Sequence, residues 1–235
     1  MRYWLVMPAA GVGRRFGGAK QFAPLNERTV LELALQPFVD DPQCLGGAIA
    51  LSVDEPRRAE LAARVPPRFA LIDGGETRAQ SVVNGLAALA ARAAPTDWVL
   101  VHDAARPCLS AADLARLLAG AAGAQGALLA IPVADTVKQA QPTTVAEPAR
   151  CAETLSREWL WLAQTPQMFA LESLRVALAQ ALEHGRTPTD EAQAMEWQGV
   201  SARLIEARDG NIKITNAADL LLARAILRTR EGTAK

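Results

Sequence analysis

Residues Trp4–Gln21, WLVMPAAGVGRRFGGAKQ, decide how this chain folds. The apolar run Tyr3–Met7 predicts a buried strand, and Pro8 ends it because proline has no N–H to give to a sheet ladder. Ala9, Ala10, Gly11, Gly13, Gly17 and Gly18 follow, with Arg14, Arg15 and Lys20 set among them. Small residues let the backbone approach a ligand and present its N–H groups, and cations answer a polyanion, so the loop suits phosphate. An ordinary surface loop is the alternative. Two familiar glycine loops do not match. The dinucleotide fingerprint G-x-G-x-x-G requires an acidic residue about 20 positions later. Here Gly11-x-Gly13 is followed by Gly17, and Asn26–Val39 offers acids only at Glu27 and Glu32, before any second strand. The P-loop fails because Gly18 is followed by Ala19-Lys20-Gln21.

Outward from this loop, composition limits the function classes. The 235 residues are 50% hydrophobic with 25 basic and 25 acidic side chains, which suits one large globular domain with a substantial core. A zero net charge argues against a nucleic-acid or anionic-membrane surface. Cys44, Cys108 and Cys151 are far apart and there are two histidines, so a zinc site or disulfide framework is not expected and a reducing cytoplasm is. The N-terminal apolar run is too short for a signal peptide, and no segment approaches the roughly 18 apolar residues of a membrane span.

Strands and helices then alternate. Thr29 and Glu32 have capping-box spacing and open a helix to about Val39. Gly47–Val53 is a second strand, Asp54 caps a helix through Arg64, and Arg68–Ile72 is a third strand. A helix over Thr77–Ala93, a strand at Trp98–Val101, a helix capped by Ser110 and a strand at Gly126–Ile131 continue the rhythm. That rhythm predicts a Rossmann-like, mostly parallel sheet with helices on both faces. It breaks at Val133–Ala140 and Ala149–Thr154, two strands around a polar turn that read as a protruding β-hairpin arm, residues 133–158. An arm with Val137 and Leu155 exposed needs a partner, which suggests a dimer, while a hairpin folded onto its own sheet is the alternative. Further on, Leu171–His184 is a helix, Thr189 caps a helix over Asp190–Gln198, Ala202–Glu206 and Asn211–Thr215 are short strands, and Ala217–Arg230 closes the chain.

Ligands of open α/β sheets bind beyond the carboxyl ends of the strands. Residues 9–20, Asp73–Ser81, His102–Arg106 and the stretch after Ile131 meet there, bringing Arg14, Arg15, Lys20, Glu76, Arg78, Asp103 and Arg106 together. Cations beside a strand-end carboxylate suit a nucleoside triphosphate with Mg²⁺ or another divalent cation, which Asp103 would bind directly or through water. Asp103 could equally be a cap, and Arg106 half of a structural ion pair. His102 reads as a packed histidine, and Cys108 as a small core residue.

Pro8-Ala-Ala-Gly-Val-Gly-Arg-Arg15, Lys20-Gln21, Asp73-Gly-Gly75, Val101-His-Asp-Ala-Ala-Arg-Pro107, Thr165-Pro-Gln167, Thr189-Asp-Glu191 and Asn211-Ile-Lys-Ile-Thr215 occur in this order. In that order they resemble the 2-C-methyl-D-erythritol 4-phosphate cytidylyltransferase family, over nearly the whole chain. Ala19 stands where proline is common in the family, and Glu76 where aspartate is frequent. The resemblance implies CTP and a polyol phosphate as substrates, with Arg15, Lys20 and Lys213 as the catalytic cations. It implies nucleotide contacts from Ala9, Ala10, Gly11, Gly13, Gly75, Glu76, Ser81, Asp103 and Ala104. It further implies polyol-phosphate contacts from Asp103, Arg106, Thr165, Thr189 and Lys213, and from Thr136 and Arg157 of an arm exchanged between two subunits. A cytidylyltransferase acting on ribitol 5-phosphate, a nucleotide-dependent oxidoreductase and a non-catalytic nucleotide-binding module are the other readings.

Overall fold

The computed structural model describes residues 1–13, 16–142 and 148–233. Strand β1 (Tyr3–Pro8) leads through the glycine loop to a minimal hairpin, β2 (Pro24–Leu25) and β3 (Arg28–Thr29), and then to α1 (Val30–Asp40). There follow β4 (Cys44–Leu51), α2 (Arg58–Arg64), β5 (Phe69–Asp73), α3 (Arg78–Leu89), β6 (Trp98–Val101), α4 (Ala111–Gly120) and β7 (Gly126–Pro132). The hairpin β8 (Val137–Ala140) and β9 (Cys151–Leu155) precedes β10 (Trp161–Ala170), α5 (Leu171–Glu183), α6 (Glu191–Glu196), β11 (Arg203–Glu206) and α7 (Ala217–Thr233).

Seven strands form the main sheet in the order β11-β7-β10-β6-β1-β4-β5. All neighbours are parallel except β10, which runs antiparallel between β6 and β7. Side chains of β1 alternate between two cores. Tyr3, Leu5 and Met7 pack with Leu31 and Phe38 of α1 and Leu114 and Leu117 of α4. Trp4 and Val6 face Val82 and Leu86 of α3 and Leu174 and Leu178 of α5. Each fully buried leucine contributes about 2 kcal/mol relative to an exposed one. Burial on both faces is why β1 is an unbroken apolar run.

The local signals for α1 and α4 hold. Thr29 N–H donates to Glu32 Oε2 at 2.7 Å while Glu32 N–H donates to Thr29 Oγ1 at 3.3 Å, and Ser110 Oγ accepts from Asp113 N–H at 2.9 Å. Other expectations are corrected. Helix α2 starts at Arg58 without a side-chain cap, because residues 52–57 form turns first. The α6 cap is Asp190, whose Oδ1 accepts from Gln193 N–H at 2.9 Å; Thr189 instead donates its N–H to Gln193 Oε1. Residues 211–215 are not a strand. Their polar groups pair with the 103–106 turn, with β10 and with Asp219, so no ladder forms.

The largest departure is β10, which the sequence pattern does not predict. Its pairing with β7 shifts register between Ala163 and Gln167, and Pro166 lies inside that shift, where no ladder N–H is required. The hairpin is shorter than expected and forms a two-stranded sheet of its own. Its turn, residues 143–147, lies outside the described residues.

The chain crosses from β5 at one edge back to β6, on the other side of β1. The carboxyl ends of β1 and β6 therefore flank a point where strand order reverses, the usual place for a crevice in an open α/β sheet.

Candidate active site

A cleft of about 280 Å³ opens at that point. Ala9, Ala10, Gly11, Gly13 and Lys20 line it from the loop after β1, and Gly75, Glu76 and Ser81 from the β5–α3 connection. Asp103 and Ala104 follow β6, and Lys213 enters from the segment before α7. All the expected nucleotide-contacting residues are therefore brought together, with Phe16, Gln21, Thr77, Arg78, Ala105 and Thr215 among them. Arg15 and its neighbour Arg14 lie outside the described residues. The stretch after Ile131, expected here, is not part of the lining.

The loop owes its shape to few groups. Gly13 has φ +64, and its carbonyl accepts from Phe16, Gly17 and Gly18 N–H at 2.9, 3.1 and 3.3 Å. A Cβ at Gly13 would collide with the Gly18 carbonyl oxygen, so only glycine closes this turn. The buried Gln21 amide donates to Ala9 O at 2.7 Å and to Gly11 O at 3.1 Å, pinning the loop's base. Phe16 packs against a small core of Leu25, Val30, Cys108, Ile214 and Ala223. Ile214 ties the glycine loop to the segment carrying Lys213. Across the cleft, a Cβ on Gly74 would lie 2.5 Å from Ala10 Cβ, so the two connections touch only because glycine stands there. Ser81 Oγ accepts from Gly75 N–H at 3.0 Å and donates to Thr77 O, fixing the chain at the start of α3.

Asp103 is the electrostatic centre. Its Oδ1 faces Arg78 Nε at 2.9 Å and its Oδ2 faces Lys213 Nζ at 2.7 Å, with Arg106 Nε at 4.0 Å. Burial raises the carboxyl's pKa, but Arg78, Lys213 and Arg106 more than reverse that and hold it well below the usual carboxylate range. Arg78 also grips Glu191, with Nη1–Oε1 at 2.7 Å and Nη2–Oε2 at 2.9 Å. Burial lowers the Arg78 pKa, and the two carboxylates raise it above its already high ordinary value. Lys213 is positioned by its neighbours. Ile214 N–H donates to Ala105 O at 2.8 Å, and Asn211 Nδ2 donates to Thr165 O at 2.7 Å and Gln164 Oε1 at 3.0 Å.

Two expected substrate contacts belong to the support behind Asp103. Arg106 is buried, donates Nη1 to Asn211 O at 2.8 Å and does not line the cleft. Thr165 is 4% exposed; its Oγ1 accepts from Asp103 N–H at 3.0 Å and lies 3.1 Å from His102 Nδ1. His102 Nε2 faces Arg106 O at 3.2 Å. A carbonyl only accepts, so Nε2 carries the proton and Nδ1 accepts from the Thr165 hydroxyl. Burial, the largest influence, lowers the His102 pKa to about 4 from 6.5. A neutral folded histidine contributes stability that is present above pH 6.5 and lost as pH falls toward 4. Between pH 7 and pH 5 we expect a loss of about 2 kcal/mol in unfolding free energy that a His102→Gln variant does not share. Denaturant titrations with chelator at both pH values check this, and equal losses in both proteins would contradict it.

Thr136 and Arg157 are exposed near the hairpin, with Arg157 bonded to Ala134 O, and Thr189 is exposed before α6. None of the three lines the cleft. Among the described residues, no three His, Cys, Asp or Glu side chains converge as metal ligands. Cys108 is buried, and burial raises its thiol to about 11. No helix is long and apolar enough to cross a membrane among the described residues.

A glycine-rich backbone, cations and a strand-end carboxylate thus meet at a switch point of the sheet. The sequence model of 2-C-methyl-D-erythritol 4-phosphate cytidylyltransferase matches residues 3–229. The chain belongs to the 2-C-methyl-D-erythritol 4-phosphate cytidylyltransferase family. A cytidylyltransferase of this name from Ectopseudomonas mendocina (strain ymp) is 48% identical over 227 residues, spanning 95% of this chain and 94% of the relative. The crystal structure of a 4-diphosphocytidyl-2C-methyl-D-erythritol synthase superposes with TM-score 0.82 at 36% identity, covering 96% of this chain and 98% of the other. That of the Francisella tularensis cytidylyltransferase gives 0.79 at 32% identity, covering 96% and 100%. These family members thus share the fold.

Proposed function

We propose that this chain transfers CMP from CTP to 2-C-methyl-D-erythritol 4-phosphate, releasing pyrophosphate, as a step of non-mevalonate isoprenoid biosynthesis in the cytoplasm. The observation that carries the reading is the meeting of Lys20, Lys213 and the Gly11–Gly13 backbone around one cleft, in a chain of this family. The phosphate monoester is already an anionic nucleophile and attacks the α-phosphorus in line, so no general base is needed. The obstacle is repulsion between two polyanions. Arg15 and Lys20 hold the triphosphate and its departing charge. Lys213, steered by Asp103, stabilises the α-phosphoryl group as the second phosphate arrives. Gly75, Glu76 and Ser81 frame cytosine and ribose, and Asp103 orients the polyol hydroxyls.

Both oxygens of Asp103 already face cations, and among the described residues no three His, Cys, Asp or Glu side chains converge to cage a divalent ion. Mg²⁺ needs only one or two carboxylates beside substrate phosphates and keeps several waters. Such an ion fits this cleft, where Asp103 and Glu76 would hold it beside the substrate phosphates. When bound it neutralises phosphate charge.

The hairpin is proposed as a dimerising arm that carries Thr136 and Arg157 to the partner's cleft, where Thr189 adds a further contact. Its support is an apolar surface at its base: Leu155, Trp159, Leu160 and Leu162 are 36%, 81%, 37% and 55% exposed. Inactive Arg157→Ala and Lys20→Ala protomers are expected to recover part of the activity when exchanged into heterodimers. No recovery after proven exchange would refute the shared site.

The substrate assignment is tested by pyrophosphate release from CTP with each polyol phosphate. Turnover with the methylerythritol phosphate and little with ribitol 5-phosphate is expected. The reverse preference would assign the second polyol, and CTP binding without turnover would make the chain a binding module.

A further inference from the structure

Two of the sequence motifs, Thr165-Pro-Gln167 and Thr189-Asp-Glu191, do not line the cleft, yet their side chains meet behind Asp103. Gln167 is 1% exposed; its Oε1 accepts from Ala192 N–H at 2.8 Å, and its Nε2 donates to Asp190 Oδ2 at 2.9 Å. These bonds clamp the start of α6 onto the register shift of β10. They deliver Glu191, itself 1% exposed, to the far side of Arg78.

The division of Arg78 between two carboxylates is the informative feature. A guanidinium beside a single carboxylate tends to take both oxygens with two parallel N–H bonds. Here Glu191 occupies that fork, with Nη1 and Nη2 on its two oxygens, and Arg78 offers only Nε to Asp103 Oδ1. Asp103 Oδ2 is thereby left for Lys213, at 2.7 Å. We propose that Glu191 is a positioning residue for the transfer: by holding the Arg78 fork, it reserves one oxygen of Asp103 for Lys213 and so fixes where the Lys213 ammonium stands. Without the Glu191 charge, Arg78 turns its fork onto Asp103 and displaces Lys213 from the position at which it meets the transferring phosphoryl group. The half-buried Arg78 is thus a spacer between carboxylates, although it borders the cleft and carries the charge expected of a phosphate ligand.

The proposal rests on the catalytic reading of Asp103 and Lys213, and its test separates the two. Steady-state kinetics are measured for wild type, Glu191→Gln, Asp103→Asn and the double variant, with melting temperatures alongside. Glu191→Gln is expected to lower kcat about tenfold or more, the scale of a small misplacement at the reacting centre, while KM for CTP stays within about threefold. In the Asp103→Asn background the same change is expected to have no further effect on kcat, because its route through Asp103 is gone. A merely structural role lowers the melting temperature without this kcat-only signature, and its effects multiply with those of Asp103→Asn. Wild-type kcat in a folded Glu191→Gln, or full multiplication in the double variant, overturns the proposal while leaving the site reading intact. Wild-type kcat in Asp103→Asn removes the site reading and the proposal with it. Should Glu191→Gln not fold, Arg78→Lys keeps a cation but has no fork to divide, and is expected to show the same kcat loss and the same non-additivity.

Discussion

Lys213→Ala is expected to lower kcat by on the order of 10²-fold or more, the scale for losing one charge contact made in the transition state. The side chain is 41% exposed and sits on an irregular segment, so its removal leaves no cavity in either core. The segment stays anchored by Ile214 and Asn211, and Asp103 keeps Arg78, so the melting temperature should hardly move. Because the ammonium is proposed to meet charge that develops during transfer, the loss is expected to fall on kcat and to spare KM for CTP. Pyrophosphate-release kinetics decide this, and a variant within threefold of wild-type kcat would remove Lys213 from the mechanism.

Lys20→Ala is expected to cost as much, by a different route. Lys20 stands where the glycine loop returns, followed by Gln21, whose amide pins the loop's base to Ala9 and Gly11. Lys20 is thus carried by the backbone that is proposed to receive the phosphates. It is expected to hold the ground-state triphosphate as well as the departing pyrophosphate. Both KM for CTP and kcat should suffer, kcat by on the order of 10²-fold. A rise in KM alone would leave Lys20 a binding residue and no more.

The legibility of this fold followed the range of the interactions involved. The first strand and glycine loop, and the caps at Thr29 and Ser110, are written in residues within a few positions of one another. The reach of β10 is written nowhere locally: its partners are β6 and β7, and Pro166 interrupts the pattern in its middle. The alternating Ile212 and Ile214 imitate a strand, yet Ile214 is buried in a small core and its neighbours' polar groups bond to a distant turn. The site shows the same division. The cleft-lining small residues and cations are readable from motifs after strand ends. That Arg106 and Thr165 stand behind Asp103, or that Arg78 is shared with Glu191 across 113 positions of sequence, depends on which strands lie side by side.

The cleft between the ends of β1 and β6 is proposed to receive CTP and to present its α-phosphorus to Lys213. A crystal structure with CTP and Mg²⁺ tests it most directly. The triphosphate is expected along residues 11–20 with Lys20 on its phosphates, the cytosine against Gly75 and Ser81, and Lys213 Nζ at the α-phosphate. Nucleotide bound anywhere else on the sheet, or in this cleft with Lys213 turned away from the α-phosphate, would contradict the account.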